Sequence, residues 1–223
     1  MCGRFTLTTS REVLARAFDL DDAPALTPRF NVAPGQDVAS VWQTPEGRRE
    51  LRPRRWGLVP HWARDARIGS RLVNARAETA ALKPAFRTAL RQRRCLVPAD
   101  GFYEWKAVPG RRRKQPYYLR LKGGGLFAFA GLYTLADAQA GAPATCAIIT
   151  TTPNDLVASI HNRMPVILEP ADEGRWTDAR VTDPATVLPC LRPLPAGRME
   201  GYPVSTLVSS PGNEGPRLVH PVS

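Results

Sequence analysis

The sequence predicts an α+β protein whose body is a mostly antiparallel, partly closed, barrel-like β-sheet carrying a few helices. Three observations lead there. Short apolar and β-branched runs recur along the chain, turn-forming Gly, Pro, Asn and Asp cluster between them, and few segments carry helical apolar spacing.

Taken in order, Phe5 to Thr8 reads as a short strand. Thr9-Ser10-Arg11-Glu12 has capping-box form, and Val13, Leu14, Ala17 and Phe18 then follow the spacing of one helix face. Asp19 to Pro34 reads as loop, because Pro24, Pro28 and Pro34 interrupt any regular ladder. Val38 to Gln43 and Glu50 to Trp56 read as strands around a turn at Pro45-Glu46-Gly47. Pro84 suits the first turn of a helix running to Arg91, with Leu82, Phe86 and Leu90 on one face. Five strands follow, at Arg94 to Val97, Phe102 to Lys106, Tyr117 to Lys122, Leu126 to Tyr133 and Thr145 to Thr151. Residues 109–113 and the run Gly123-Gly124-Gly125 are loops between them, and Arg111-Arg112-Arg113 reads as a solvated tip. Asn154 to Ser159 and Ala171 to Thr177 are short helices, and beyond Pro184 proline density obscures the elements. With no repeat, linker or shift of composition, residues 1–223 read as a single domain.

Charge narrows the partner. The formal net charge is +11, carried by 27 Arg and only 4 Lys. Arg is the better residue for planar, bidentate contacts with phosphate, so the balance favours a polyanion. No apolar run approaches the roughly 18 residues that span a bilayer. The opening residues have no signal-peptide core, so a cytoplasmic protein without a membrane partner is expected. Of the four cysteines, none forms a Cys-x-x-Cys pair, and the three His are scattered. Neither a structural metal nor a cofactor is expected. Cys95, Cys146 and Cys190 read as reduced core residues, the first two within apolar runs.

Cys2 stands apart. Initiator Met is removed when the second residue is small, which would leave Cys2 with a free α-amine beside its thiol. An α-amine has a reference pKa near 8, so an appreciable fraction is nucleophilic at neutral pH. The amine can condense with an aldehyde to an imine, and the sulfur can then close a five-membered thiazolidine.

Five further blocks give this reading a family context. Met1-Cys2-Gly3-Arg4-Phe5 is followed in order by Asn31-Val32-Ala33-Pro34, by Trp56-Gly57-Leu58-Val59-Pro60 with Trp62, and by Asn74-Ala75-Arg76-Ala77-Glu78-Thr79. Arg94 to Lys106, containing Phe102-Tyr103-Glu104-Trp105, comes next, and Thr151 to Asn154 leads to Ile160-His161-Asn162-Arg163-Met164-Pro165. Together these resemble the SOS response-associated peptidase (SRAP) family over essentially the whole chain. The resemblance implies a sensor of abasic sites in single-stranded DNA, or at single-strand/double-strand junctions, working as a monomer. It implies a covalent thiazolidine crosslink through Cys2 that shields the lesion, with lyase and autopeptidase activity also attached to the family. It gives Glu104 a part in the imine chemistry, His161 a part in sugar ring opening and crosslink reversal, and Asn74 the positioning of the captured sugar.

The residues themselves fit those roles. Strand alternation places Glu104 with Phe102 and Lys106 on one face, and Tyr103 with Trp105 on the other. A carboxylate among aromatics has a raised pKa and can shuttle protons. Arg4, Arg76 and Arg163 lie next to or near Cys2, Asn74 and His161 in sequence, which suits a phosphate backbone drawn past the site. Trp62 and Pro34 offer apolar surfaces for bases. A second reading is an N-terminal cysteine peptidase, with Asn74 or a backbone amide stabilising an oxyanion. The stretch Ser209 to Asn213 departs from the family pattern, in which an Asn follows Val204-Ser205 more closely.

Overall fold

The computed structural model describes residues 2–136 and 143–222. Twelve strands and six α-helices are described among these residues, and the strands form two sheets rather than the single sheet expected. In chain order the strands are β1 (Phe5–Leu7), β2 (Arg29–Val32), β3 (Asp37–Gln43), β4 (Arg49–Trp56), β5 (Asn74–Arg76) and β6 (Arg94–Ala99). Then come β7 (Gly101–Lys106), β8 (Gln115–Leu121), β9 (Phe127–Thr134), β10 (Thr145–Thr151), β11 (Met164–Pro165) and β12 (Met199–Pro203). The helices are α1 (Arg11–Phe18), α2 (Ala77–Ala80), α3 (Arg87–Gln92), α4 (Asp155–Ala158), α5 (Pro170–Thr177) and α6 (Pro184–Val187).

The larger sheet runs β11-β10-β4-β3-β6-β9, and β9 pairs back onto β10, so this sheet is partly ring-like. Its ladders are antiparallel except where β10 meets β4 and β5 in parallel. The second sheet, β12-β8-β7-β1-β2, is antiparallel throughout.

Side-chain alternation divides the core. On β6, β9 and β10, Leu96, Ala130, Leu132, Ala147 and Ile149 join a cluster with Leu14, Leu90 and Trp176 from α1, α3 and α5. The intervening Cys95, Val97, Phe129, Cys146 and Ile148 turn the other way, onto Phe5 and Phe102 of the second sheet. Both faces are covered, which is why these strands read as continuous apolar runs. Each fully buried large apolar side chain is worth roughly 1.5–3 kcal/mol against exposure. A third cluster, with Tyr103, Tyr118, Val204, Val208 and Leu218, backs the far side of the second sheet.

Several boundaries depart from the sequence reading. The expected loop before Pro34 contains β2, which pairs with β1. Ser10, not Thr9, caps α1, its hydroxyl accepting from the Val13 amide. The helix expected from Pro84 begins at Arg87. The proline-rich C-terminal part supplies α6 and β12, and β12 adds to the edge of β8 with five paired residues. Its edge position is what tolerates Pro203 at the end of the ladder.

One close approach holds the N-terminal strand in place. A side chain at Gly101 would lie 2.1 Å from the Tyr118 hydroxyl, so glycine is required there. The space it leaves lets that hydroxyl reach Thr6 Oγ1 at 2.9 Å, locking β1 against β7 and β8. No helix among the described residues is long and apolar enough to cross a membrane.

Candidate active site

The N-terminal segment enters the site along β7. Phe5 pairs with Phe102 in an antiparallel ladder, and the Tyr103 amide donates to Arg4 O at 3.0 Å. Continuing that ladder brings Gly3 and Cys2 beside Glu104. Cys2 is wholly buried, in the cluster that includes Phe5, Phe102 and Trp56. Met1 and the question of its removal lie outside the described residues.

Asn74 arrives from β5, whose parallel pairing with β10 sets Asn74 opposite Ile148. The indole of buried Trp56 donates to Val73 O at 2.8 Å, which anchors the residue before it. Asn74 Nδ2 then donates to Cys2 O at 2.8 Å. Its Oδ1 is buried and has no hydrogen-bond partner among the described residues. His161 follows α4, its amide donating to Val157 O, and its Nδ1 stands 3.9 Å from Glu104 Oε2. Cys2, Asn74, Glu104 and His161, dispersed in sequence, therefore form one cluster.

The electrostatics are set by burial. Glu104 is 1% exposed, and desolvation pushes its carboxyl up to about 7. The Cys2 thiol is pushed far up, by burial first and by the Glu104 charge second. His161 is shifted down by partial burial and is neutral at pH 7. The cluster thus holds a thiol that keeps its proton, a carboxyl poised to gain or lose one near neutrality, and a neutral imidazole. Such an arrangement can pass protons during addition to a carbonyl carbon.

The three arginines expected to line a phosphate path differ. Arg4 is committed internally: Nη1 donates to Asn31 Oδ1 at 2.8 Å and to Val208 O at 2.6 Å, and Nη2 to Ser209 O at 3.1 Å. Arg163 forms a two-pronged pair with Glu78, at 2.6 and 3.0 Å. Arg76 is exposed and makes no ion pair with the described residues. Trp62 is 50% exposed. Exposed Pro34 lines an open hollow of about 460 Å³ with Gly35, Trp56 and Gly57. His61 and His220 are exposed, and Cys95, Cys146 and Cys190 are buried and free. No group of three or more His, Cys, Asp or Glu among the described residues could hold a metal.

Two supporting residues were missed from sequence. Asn31, wholly buried, accepts from Arg4 and donates to the carbonyls of Val208, Ser210 and Asn213. It ties the atypical Ser209–Asn213 stretch to the N-terminal strand. Glu78 pairs with Arg163. Both stood within recognised sequence blocks, but neither type of residue announces a partner so distant in sequence.

Comparison with known proteins gives the chain its family. The chain is 44% identical over 223 residues to abasic site processing protein YoqW of Bacillus subtilis (strain 168), covering 98% of this chain and 99% of that one. It is 29% identical to abasic site processing protein YedK of Escherichia coli (strain K12), with full coverage of both. It is 27% identical to abasic site processing protein HMCES of Mus musculus, over 99% of this chain and 76% of that one. Among solved structures, a Bacteroides thetaiotaomicron protein superposes with a TM-score of 0.87 at 26% identity, each chain covered completely. A phage-related protein of Bordetella bronchiseptica superposes at 0.74 with 29% identity, covering 96% of this chain and 99% of that one. The model of the family described as SOS response associated peptidase (SRAP) matches residues 1–211, and the chain belongs to that family.

Proposed function

We propose that this protein processes abasic sites in single-stranded DNA by capturing the ring-opened sugar covalently on Cys2. The observation that carries this reading is the convergence of Cys2, Asn74, Glu104 and His161, with a carboxyl near pKa 7 beside a buried thiol. The names of the relatives point to the same lesion.

The chemistry requires removal of Met1. The Cys2 amine then adds to the aldehyde carbon, giving a carbinolamine. Protonated Glu104 delivers a proton to the departing hydroxyl, and water leaves as the imine forms. The carboxylate so generated accepts the thiol proton, and Sγ bonds to the imine carbon. The imine nitrogen, now an amine, keeps its proton. Amine, thiol and aldehyde thus become a thiazolidine and one water. A carboxyl near pKa 7 suits both transfers, since each form is populated at neutral pH. It also answers the difficulty raised by the thiol, whose burial disfavours a standing thiolate. Asn74 holds the Cys2 carbonyl, aiming amine and sulfur together, and His161 protonates and deprotonates the sugar oxygens during ring opening and release.

Peptidase chemistry at the same residue is the weaker reading. Asn74 Nδ2 already gives one of its two N–H donors to Cys2 O, which leaves it a single donor for an oxyanion. The charge of +11 also suits a phosphate-bearing substrate better than a peptide.

The test is a denaturing gel of abasic single-stranded oligonucleotide with wild type, Cys2→Ala and a form extended at the N-terminus so that Met1 stays. A heat-stable adduct with wild type alone is expected. No adduct with wild type, or an equally stable one with Cys2→Ala, overturns the proposal.

A further inference from the structure

Arg163 bridges two halves of the site. Its guanidinium holds Glu78 in a fork, and Nη2 also donates to Thr150 O at 2.6 Å. Glu78 belongs to α2, which follows β5 and its Asn74 without a gap. Thr150 lies on β10, where β5 and β11 both pair, and its hydroxyl donates to Ala75 O at 3.4 Å. The side chain of Arg163 is only 13% exposed. A fork-to-fork pair this well formed orients both partners.

The main chain of the same residue handles the histidine. Arg163 N–H donates to His161 Nδ1 at 3.1 Å, while Arg163 O lies 3.2 Å from that same nitrogen. The two contacts demand opposite tautomers. An amide can only donate, so the first requires a lone pair on Nδ1 and puts the neutral ring's proton on Nε2. The second requires a proton on Nδ1. The orientation of the residue-163 peptide therefore bears on which of the two forms.

We propose that Glu78 is a positioning residue: by gripping Arg163 it orients the residue-163 peptide, holds His161 as the Nε2–H tautomer and presents that N–H as the proton donor to the sugar. The role in reaction rests on the abasic-site reading above, but the tautomer does not. The charged and titratable groups around the ring are the N-terminal amine, Glu104, Arg163 and Lys114.

The test uses the full chain labelled with ¹⁵N-histidine, with His161 signals assigned by His161→Gln. Wild type is expected to show the Nε2–H tautomer from pH 7 to 8. Glu78→Ala and Arg163→Lys are expected to give a mixture of tautomers, and Glu78→Asp to restore the wild-type pattern in part. Thermal melts check that each variant folds, and Glu78→Gln, which keeps the shape, serves if Glu78→Ala does not. Release of the DNA adduct is expected to slow roughly tenfold in Glu78→Ala, a fraction of what general acid–base catalysis supplies, with DNA affinity unchanged. An unaltered tautomer in every folded Glu78 variant overturns the proposal. Tighter DNA binding by Glu78→Ala with an unaltered tautomer shows instead that Glu78 competes with phosphate for Arg163. If wild type forms no adduct, the functional reading fails, and the tautomer measurement still decides the role of Glu78.

Discussion

Replacing Glu104 by Gln should make the fold more stable above neutral pH while removing capture of the abasic aldehyde. The carboxyl is 1% exposed, and burial raises it from 4.5 to about 7. Below about pH 4.5 the group is protonated both folded and unfolded, and the folded state bears no penalty for it. As pH rises toward 7, the unfolded chain loses this proton and the native state retains it. Stability is therefore lost across that window, and the deficit is complete above pH 7. At about 1.4 kcal/mol per pH unit, the rise is worth on the order of 3 kcal/mol. Gln keeps the shape and cannot ionise, so it escapes the penalty. Urea denaturation of wild type and Glu104→Gln at pH 4.5, 6 and 8 measures the effect. The stability difference should grow by about 3 kcal/mol in favour of the variant between pH 4.5 and 8. A constant packing offset from the amide does not matter, because only the change with pH is read. His161 is shifted down, so its own contribution is lost as pH falls toward its folded value; because it stands 3.9 Å from Glu104, the same melts in a His161→Gln background separate its share. A difference that is flat with pH, or that shrinks as pH rises, would refute the assignment of Glu104 as a desolvated carboxyl held for chemistry rather than stability.

Arg94→Met should cost on the order of 3–5 kcal/mol by denaturant melt, because 3%-exposed Arg94 donates to the carbonyls of Leu90, Arg91, Trp176, Asp178 and Val181. Asn74→Ala removes the hydrogen bond to Cys2 O and should lower stability by only about 1 kcal/mol. It should slow adduct formation by roughly a hundredfold in a gel time course, since misplacing a nucleophile costs far more in rate than in folding. Arg76→Ala should reduce the salt dependence of single-stranded DNA binding, measured by fluorescence anisotropy, by about one phosphate contact. Arg4→Ala should instead lower the melting temperature, because its guanidinium holds Asn31, Val208 and Ser209.

Much of the secondary structure was legible because its causes are local. The strands β3 and β6 to β10 announce themselves largely by apolar, aromatic and β-branched residues between turns, β4 by its place across the Pro45-Glu46-Gly47 turn from β3, and α1 by a capped apolar face. Alternation along β7 also sorted its side chains: Phe102 enters the cluster with Cys2, and Tyr103 enters the one behind the sheet. The three-residue β5 and the edge strands β2 and β12 escaped notice. They are stabilised by the strands beside them rather than by any pattern of their own.

From the sequence alone, the chemistry available to each side chain is determined: an amine and thiol on neighbouring carbons if Cys2 becomes the first residue, a carboxyl, an imidazole, and an excess of arginine. What those groups are prepared to do was decided by tertiary structure. Asn74 reaches Cys2 across 72 residues and Arg4 reaches Val208 across 204. Only such contacts reveal that Arg4 and Arg163 have internal partners while Arg76 is exposed without an ion pair among the described residues. Only the packing of two sheets removes water from Glu104 and Cys2, and desolvation is what moves a carboxyl to about 7 and holds a thiol protonated. Ionisation is a property of surroundings, and the surroundings exist only once the chain has folded.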